Sequence, residues 1–163
     1  KNIISVSLRK KIKIKNNFRI KLINYKRNRP EYKNLKYKMI LKHLSKMDTS
    51  KKDIALCVDN KMLETGTSNL LFVSKDQIFS PKNKYYKGSN LRFYEKKFKI
   101  KKTNIMLNKI KKYEEIILVG SGKGVVSVYS IDKINWKRKK LNTYKMLLKT
   151  FNKELKKNKY LYK

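Results

Sequence analysis

Lysine interrupts every apolar segment of this 163-residue chain, so the segments can form only short strands and amphipathic helices. None of the apolar runs approaches the roughly 18 residues that a membrane-spanning helix requires. Hydrophobic residues still make up 40% of the sequence, which is enough for the core of one ordinary domain. We therefore expect residues 1–163 to fold as a single domain that does not span a membrane.

The order of the apolar patterns predicts an α+β fold. Patterns typical of strands lie at 3–8, 11–15, 18–23, 53–58, 69–74, 77–80, 115–119 and 125–131. Patterns typical of helices lie at 35–47, 91–98, from Thr103 through Ile110, and at 144–155. The two kinds of element do not alternate regularly, so we do not expect a doubly wound parallel sheet.

The net charge of +34 would ordinarily indicate a nucleic-acid partner, because a basic surface gains affinity by releasing counterions from phosphates. Only six of the 45 basic residues are arginine, although the arginine side chain suits phosphate and base recognition better. The lysine excess is accompanied by many Asn, Ile and Tyr, as expected from an AT-rich genome. Both observations disfavour a nucleic-acid partner. A lysine-rich RNA-binding or organellar ribosomal protein remains the alternative from another functional class.

The single cysteine and the single histidine limit the chemistry of the chain. Cys57 lies in the apolar run 54–58, so we predict a buried thiol in a reducing compartment. Cys57 and His43 together cannot supply a His/Cys metal cluster. We predict no metal site.

The acid Glu64 is the most informative residue in this basic chain. It stands five residues before Asn69, which opens an apolar strand. Taken alone, Glu64 would be a loop acid beside a turn that joins two strands. Three other segments accompany it: Lys33 just before a predicted helix, Gly-Ser-Asn-Leu-Arg at 88–92, and an apolar strand followed by a glycine turn at 115–128.

In this order and at these separations, the four segments resemble the C-terminal half of class IV, or fold type IV, pyridoxal-phosphate enzymes. That family includes branched-chain and D-amino acid aminotransferases and 4-amino-4-deoxychorismate lyase. The resemblance implies the C-terminal domain of the D-amino acid aminotransferase-like fold, with a mixed sheet or barrel-like core and flanking helices. The family's smaller N-terminal domain is absent from residues 1–163, which leaves inactivity of the isolated chain as an alternative.

The resemblance also implies a cofactor and partners. The cofactor is pyridoxal 5′-phosphate, the substrate is a small amino compound, and the full-length protein is a homodimer. We expect a cytoplasmic location, with an organelle as the alternative.

The resemblance further implies roles for individual residues. Lys33 binds the cofactor covalently and serves as general acid and base, with Lys36 as the rival. Glu64 faces the pyridine nitrogen, where a carboxylate favours the protonated ring. Asn69 supports the adjoining turn.

Four residues are implied in binding the cofactor phosphate. Asn90 and Leu91 supply backbone N–H groups at a helix start, which is a favourable anion site. Ser121 and Gly122 form a second phosphate-binding loop, with one hydroxyl and a turn of backbone amides.

The segment after Lys33 distinguishes among members of the family. Branched-chain aminotransferases usually carry a glycine-rich segment there, and residues 34–36 lack it. The resemblance therefore implies aminodeoxychorismate lyase, which forms 4-aminobenzoate and pyruvate in folate biosynthesis. A branched-chain or D-amino acid aminotransferase is the alternative within the family.

Overall fold

A computed structural model describes residues 12–32 and 36–158, which form two five-stranded sheets and three α-helices. The strands are β1 (Arg19–Asn24), β2 (Lys52–Val58), β3 (Lys61–Thr65), β4 (Asn69–Ser74), β5 (Gln77–Pro81), β6 (Ile100–Thr103), β7 (Ile105–Met106), β8 (Glu115–Gly120), β9 (Gly124–Ser127) and β10 (Ser130–Ile131). The helices are α1 (Lys38–Leu44), α2 (Ser89–Lys97) and α3 (Asn142–Asn158), with a 3₁₀ helix at Leu107–Lys112. The strand predicted at 3–8 lies outside the described residues.

Both sheets are mixed. The first has the order β10-β1-β2-β3-β7, in which β1 is parallel to both neighbours and the remaining pairs are antiparallel. The second has the order β6-β5-β4-β8-β9, in which only β5 and β6 are parallel. The predicted α+β fold with mixed sheets and flanking helices is confirmed.

The largest hydrophobic cluster lies between the two sheets. It joins Ile20 and Ala55 of the first sheet to Leu70, Phe72 and Leu118 of the second, and all five are fully buried. The alternation of side chains along each strand directs one set of apolar residues into this layer. The apolar residues on the outer faces of the two sheets must be buried by other elements.

Helices cover the outer faces of both sheets. On the first sheet, Ile40 of α1 packs against Ile54 and Leu56. On the second sheet, Leu91 of α2 and Leu147 of α3 belong to one cluster with apolar residues of β4 and β8. Since β4 and β8 are covered on both faces, they appear in the sequence as continuous apolar runs.

A buried acid at the start of β8 fixes the start of α3. Glu115 is 1% exposed, and its two carboxylate oxygens accept the backbone N–H groups of Thr143 and Tyr144, each at 2.9 Å. The negative charge also complements the positive end of the helix dipole. This interaction attaches the last helix to β8, an inner strand of the second sheet.

The helix predicted from Thr103 is wrong. The chain forms β6 and β7 there, followed by only a short 3₁₀ helix. Ile105 pairs with Met62 of β3, and the Leu107 N–H donates to the Asn60 carbonyl at 2.8 Å. Strand pairing between distant segments has overridden the local helical spacing.

Two predicted strands also differ from the structure. Residues 12–15 form no strand, although their apolar and charged residues alternate. The strand predicted at 125–131 divides into β9 in the second sheet and β10 in the first. The chain leaves one sheet and enters the other after Ser127, so a single apolar pattern serves two sheets.

The single cysteine is buried, as predicted. Cys57 is 6% exposed, and burial raises the pKa of its thiol to about 12. Within residues 12–32 and 36–158, no helix is long and apolar enough to cross a membrane.

The buried core between the sheets leads to a prediction about the free energy of unfolding. Leu118→Ala removes a fully buried side chain and should lower the free energy of unfolding by about 2–5 kcal/mol. Leu41 is 59% exposed, so the control Leu41→Ala should change it by no more than about 0.5 kcal/mol. Urea unfolding followed by circular dichroism measures both, and equal effects would contradict the assigned core.

Candidate functional site

A cavity of about 300 Å³ lies where the two sheets meet α2. Five of the residues singled out in the sequence line it: Glu64, Asn69, Asn90, Ser121 and Gly122. They come from the end of β3, the start of β4, the first turn of α2 and the turn after β8. The register of β4 and β8 brings these ends together, because Asn69 pairs with Val119.

Glu64 forms a buried ion pair with Arg27. The Arg27 Nε atom lies 2.9 Å from Glu64 Oε1, and the side chains are 9% and 4% exposed. Arg27 Nη2 also donates to the carbonyl oxygens of Gly66 at 3.1 Å and Thr65 at 3.4 Å. The guanidinium stacks 4.8 Å from the centre of the Tyr37 ring. Arg27 therefore holds both the acid and the turn that follows it.

Sequence reasoning missed the role of Arg27. Arg27 is one of only six arginines in a chain where lysine is the usual basic residue. A planar, permanently charged guanidinium suits a buried carboxylate and two carbonyls better than an ammonium does. The scarcity of arginine was the signal that could have identified it.

The carboxyl group of Glu64 has a strongly shifted pKa. Burial raises the pKa to about 7, and the opposing influences are the Arg27 charge and the Tyr86 N–H. The Tyr86 N–H donates to Oε2 at 3.4 Å. Oε1 lies 2.9 Å from Arg27 Nε, so the ion pair holds this oxygen. Glu64 therefore lines the cavity with a carboxyl group whose two oxygens contact Arg27 and the Tyr86 N–H.

Asn69 connects β4 to the segment that enters α2. Its Oδ1 accepts the Gly88 N–H at 3.0 Å, and its Nδ2 donates to the Tyr86 carbonyl at 2.6 Å. Both amide atoms therefore face protein backbone. Asn69 thus holds the segment that leads into α2, and its expected role at the adjoining 65–68 turn stays a prediction.

The first turn of α2 presents donors to the cavity. A helix start leaves backbone N–H groups without intrahelical acceptors, and Asn90 and Leu91 lie in this turn. The Asn90 side chain lines the cavity, and its buried Nδ2 has no hydrogen-bond partner among the described residues. Leu91 is not among the described residues that line the cavity, and its side chain packs in the apolar cluster behind the second sheet.

The turn between β8 and β9 forms another wall. Ser121 and Gly122 are exposed at the cavity, and a Cβ atom added at Gly122 would meet no atom within 4 Å. Gly124 has a φ of +70°, a conformation that favours glycine. A Cβ atom at Gly120 would overlap the Ser68 hydroxyl, so this wall packs directly on the β3–β4 turn.

Lys33 lies outside the described residues, so the structure does not place it relative to Glu64. Arg27 and Tyr37, which precede and follow it in sequence, both line the cavity. The rival Lys36 is exposed.

Comparison with known proteins identifies the family. The family model for amino-transferase class IV matches residues 5–131. The chain belongs to the class IV aminotransferase family. The resemblance drawn from the four sequence motifs is thereby confirmed. Comparison with curated protein sequences gave no match.

Solved structures share the fold at low sequence identity. A candidate 4-amino-4-deoxychorismate lyase from Legionella pneumophila aligns with a TM-score of 0.71 and 18% identity, over 92% of this chain and 59% of that protein. A candidate branched-chain amino acid aminotransferase from Thermotoga maritima aligns with a TM-score of 0.65 and 12% identity, over 89% and 56% of the two chains.

A third structure carries the cofactor. A hypothetical aminotransferase from Mycobacterium tuberculosis in its pyridoxal-phosphate-bound form aligns with a TM-score of 0.65 and 13% identity, over 83% of this chain and 54% of that protein. This class IV aminotransferase chain thus spans little more than half the length of these three proteins.

The ion pair predicts a change in the acidity of Glu64. Arg27→Met keeps much of the apolar stem but removes the positive charge that favours the carboxylate. The pKa of Glu64 should then rise above about 7, by about one unit or more. Carbon-13 NMR titration of labelled glutamate measures the shift, with Glu64→Gln assigning the resonance.

The control for this experiment is Arg29→Met, which removes an exposed arginine two residues along the chain. The pKa of Glu64 should be unchanged in that variant. A pKa that stays the same in Arg27→Met would contradict the electrostatic role of Arg27.

Proposed function

We propose that the cavity binds pyridoxal 5′-phosphate. The observation that carries this proposal is the cavity itself, in which the buried Glu64 carboxyl group, a helix start and a glycine turn line the same space. A volume of about 300 Å³ falls at the lower end of small-molecule sites. The M. tuberculosis structure of the same fold is a pyridoxal-phosphate-bound form.

Glu64 is proposed to hold the protonated pyridine nitrogen. When bound, the cofactor supplies an electron sink for a carbanion next to the substrate nitrogen, and protonation of the ring strengthens that sink. Glu64 favours the protonated ring only as a carboxylate. The Arg27 charge 2.9 Å away opposes the effect of burial and favours that form. Arg27 is therefore proposed as a positioning residue for Glu64.

The phosphate is proposed to bind between α2 and the β8–β9 turn. The Asn90 amide and the backbone N–H groups of Asn90 and Leu91 supply donors at the positive end of the helix. Ser121 contributes a hydroxyl, and Gly122 contributes backbone without a side chain to crowd the anion. The buried amide donor of Asn90 is the independent support for an acceptor-rich group here.

Lys33 is proposed as the lysine that holds the cofactor and moves the proton at the substrate carbon. It stands between two cavity-lining residues in the sequence, Arg27 and Tyr37. An amine can act in this way only when it is unprotonated, and positive charges nearby lower the pKa of a lysine. The Arg27 guanidinium is such a charge at the cavity.

The proposed reaction is that of an aminodeoxychorismate lyase, which converts 4-amino-4-deoxychorismate to 4-aminobenzoate and pyruvate. Its support is the sequence after Lys33, where residues 34–36 lack the glycine-rich segment of branched-chain aminotransferases. Because the chain spans 59% or less of these three relatives, the activity is proposed for the complete protein, in its homodimeric form. Residues 1–163 are proposed to be its cofactor-binding domain.

Covalent labelling tests the proposed lysine. The complete protein is incubated with pyridoxal phosphate, reduced with borohydride, digested and mapped by mass spectrometry. The phosphopyridoxyl group should appear on Lys33, should be lost from that peptide in Lys33→Ala, and should persist in the matched variant Lys36→Ala. Label spread over many lysines would contradict a specific site.

Product analysis tests the proposed reaction. The complete protein with 4-amino-4-deoxychorismate should release pyruvate and 4-aminobenzoate in equal amounts without a keto-acid co-substrate. Lactate dehydrogenase coupling measures the pyruvate, and Lys33→Ala should abolish it. Amino transfer that needs a keto acid, with no pyruvate released, would show an aminotransferase instead.

A further inference from the structure

Asp53 and Lys123 form a buried ion pair beside the cavity. The Lys123 Nζ atom lies 2.9 Å from Asp53 Oδ2, and the side chains are 3% and 0% exposed. The ammonium also lies 5.1 Å from the centre of the Phe18 ring. Neither charged residue is among the described residues that line the cavity. In a chain whose lysines are mostly at the surface, Lys123 points into the protein.

The pair joins two walls of the cavity. Asp53 Oδ2 accepts hydrogen bonds from the Thr67 hydroxyl of the β3–β4 turn at 2.6 Å and from the Thr65 hydroxyl at the end of β3 at 3.1 Å. Lys123 belongs to the β8–β9 turn, 70 residues from Asp53 in sequence. Thr67 and Ser121, one from each turn, line the cavity. One carboxylate oxygen therefore contacts both turns.

Stability alone does not account for this arrangement. Removing two charges from water is costly, and apolar residues that replace a buried ion pair often leave stability unchanged or improve it. What the pair supplies is directional contact between the two turns, in addition to close packing such as that of Gly120, at the end of β8, on Ser68. Asp53 is held in place itself, because its Oδ1 accepts the Ile54 N–H at 2.8 Å.

We propose that Asp53 and Lys123 are positioning residues that fix the spacing of the two turns and thereby let the cavity prefer the phosphorylated cofactor. This inference rests on the proposed function. Phosphate recognition depends on hydrogen-bond donors held at fixed positions. The Lys123 ammonium is paired with Asp53, so it is not the group that binds the phosphate. The preference for phosphate would then come from the geometry of Ser121 and Gly122 rather than from the lysine charge.

The test compares binding of pyridoxal phosphate and pyridoxal to the complete protein. Asp53→Asn combined with Lys123→Met removes both charges and leaves no unpaired charge in the core. The ratio of the two affinities should fall at least about tenfold, the effect of losing well-placed charge-assisted hydrogen bonds. The melting temperature should stay close to that of the wild type. Lys109→Met, at an exposed lysine, is the matched control and should keep the wild-type ratio.

The outcomes separate this inference from the proposed function. A wild-type protein that does not bind pyridoxal phosphate overturns the proposed function and this inference with it. Wild-type binding together with an unchanged affinity ratio in the double variant overturns only the positioning role. Equal weakening for both ligands also overturns it, because a purely structural defect does not distinguish the phosphorylated ligand.

A second measurement needs no variant. Inorganic phosphate added to the wild-type protein should slow amide hydrogen exchange at 120–124 and, through the ion pair, at 65–67. Slower exchange in both turns supports the coupling even if the double variant does not fold. Slower exchange at 120–124 alone, or in neither turn, overturns it.

Discussion

The short connection between β3 and β4 is the constraint on which the site depends. It carries the chain from one sheet to the other within residues 66–68, and its backbone is closed by a hydrogen bond from Thr65 N–H to the Ser68 carbonyl at 2.8 Å. The Gly66 N–H bonds to the Ile54 carbonyl at 2.9 Å, and a Cβ atom at Gly66 would come within 2.9 Å of the Ile54 side chain. Glu64, near the end of β3 in the first sheet, and Asn69, at the start of β4 in the second sheet, thus line the same cavity.

Buried acids, rather than the many lysines, hold separate segments of this basic protein together. Three buried carboxylates each have a distinct partner: Glu64 has Arg27, Asp53 has Lys123, and Glu115 has the start of α3. A buried carboxylate must be paired or hydrogen-bonded, so its surroundings are fixed closely. An exposed lysine needs no partner in the protein, because water solvates its charge. The number of lysines therefore says little about function. The net charge of +34 was therefore a weaker guide than the position of one acid.

Much of the fold was predictable because local patterns report local burial. The run at 115–119 indicated a strand covered on both faces, and the apolar spacing at 144–155 indicated the last helix. The same reasoning failed after Thr103, where pairing with β3 replaced a helix, and at 125–131, where one run serves two sheets. In both places the deciding neighbours lie far away in sequence.

The sequence by itself determined the family, the α+β class and five of the residues that line the cavity, because the spacing from Glu64 to Asn69 and the glycine turn are local features. Only the tertiary structure decided that Arg27 contacts Glu64 and that Lys123 turns inward to Asp53. Each contact joins segments from different elements, and one of them spans 70 residues of sequence. Such pairs form only when the two sheets pack, so no periodic pattern along the chain encodes them.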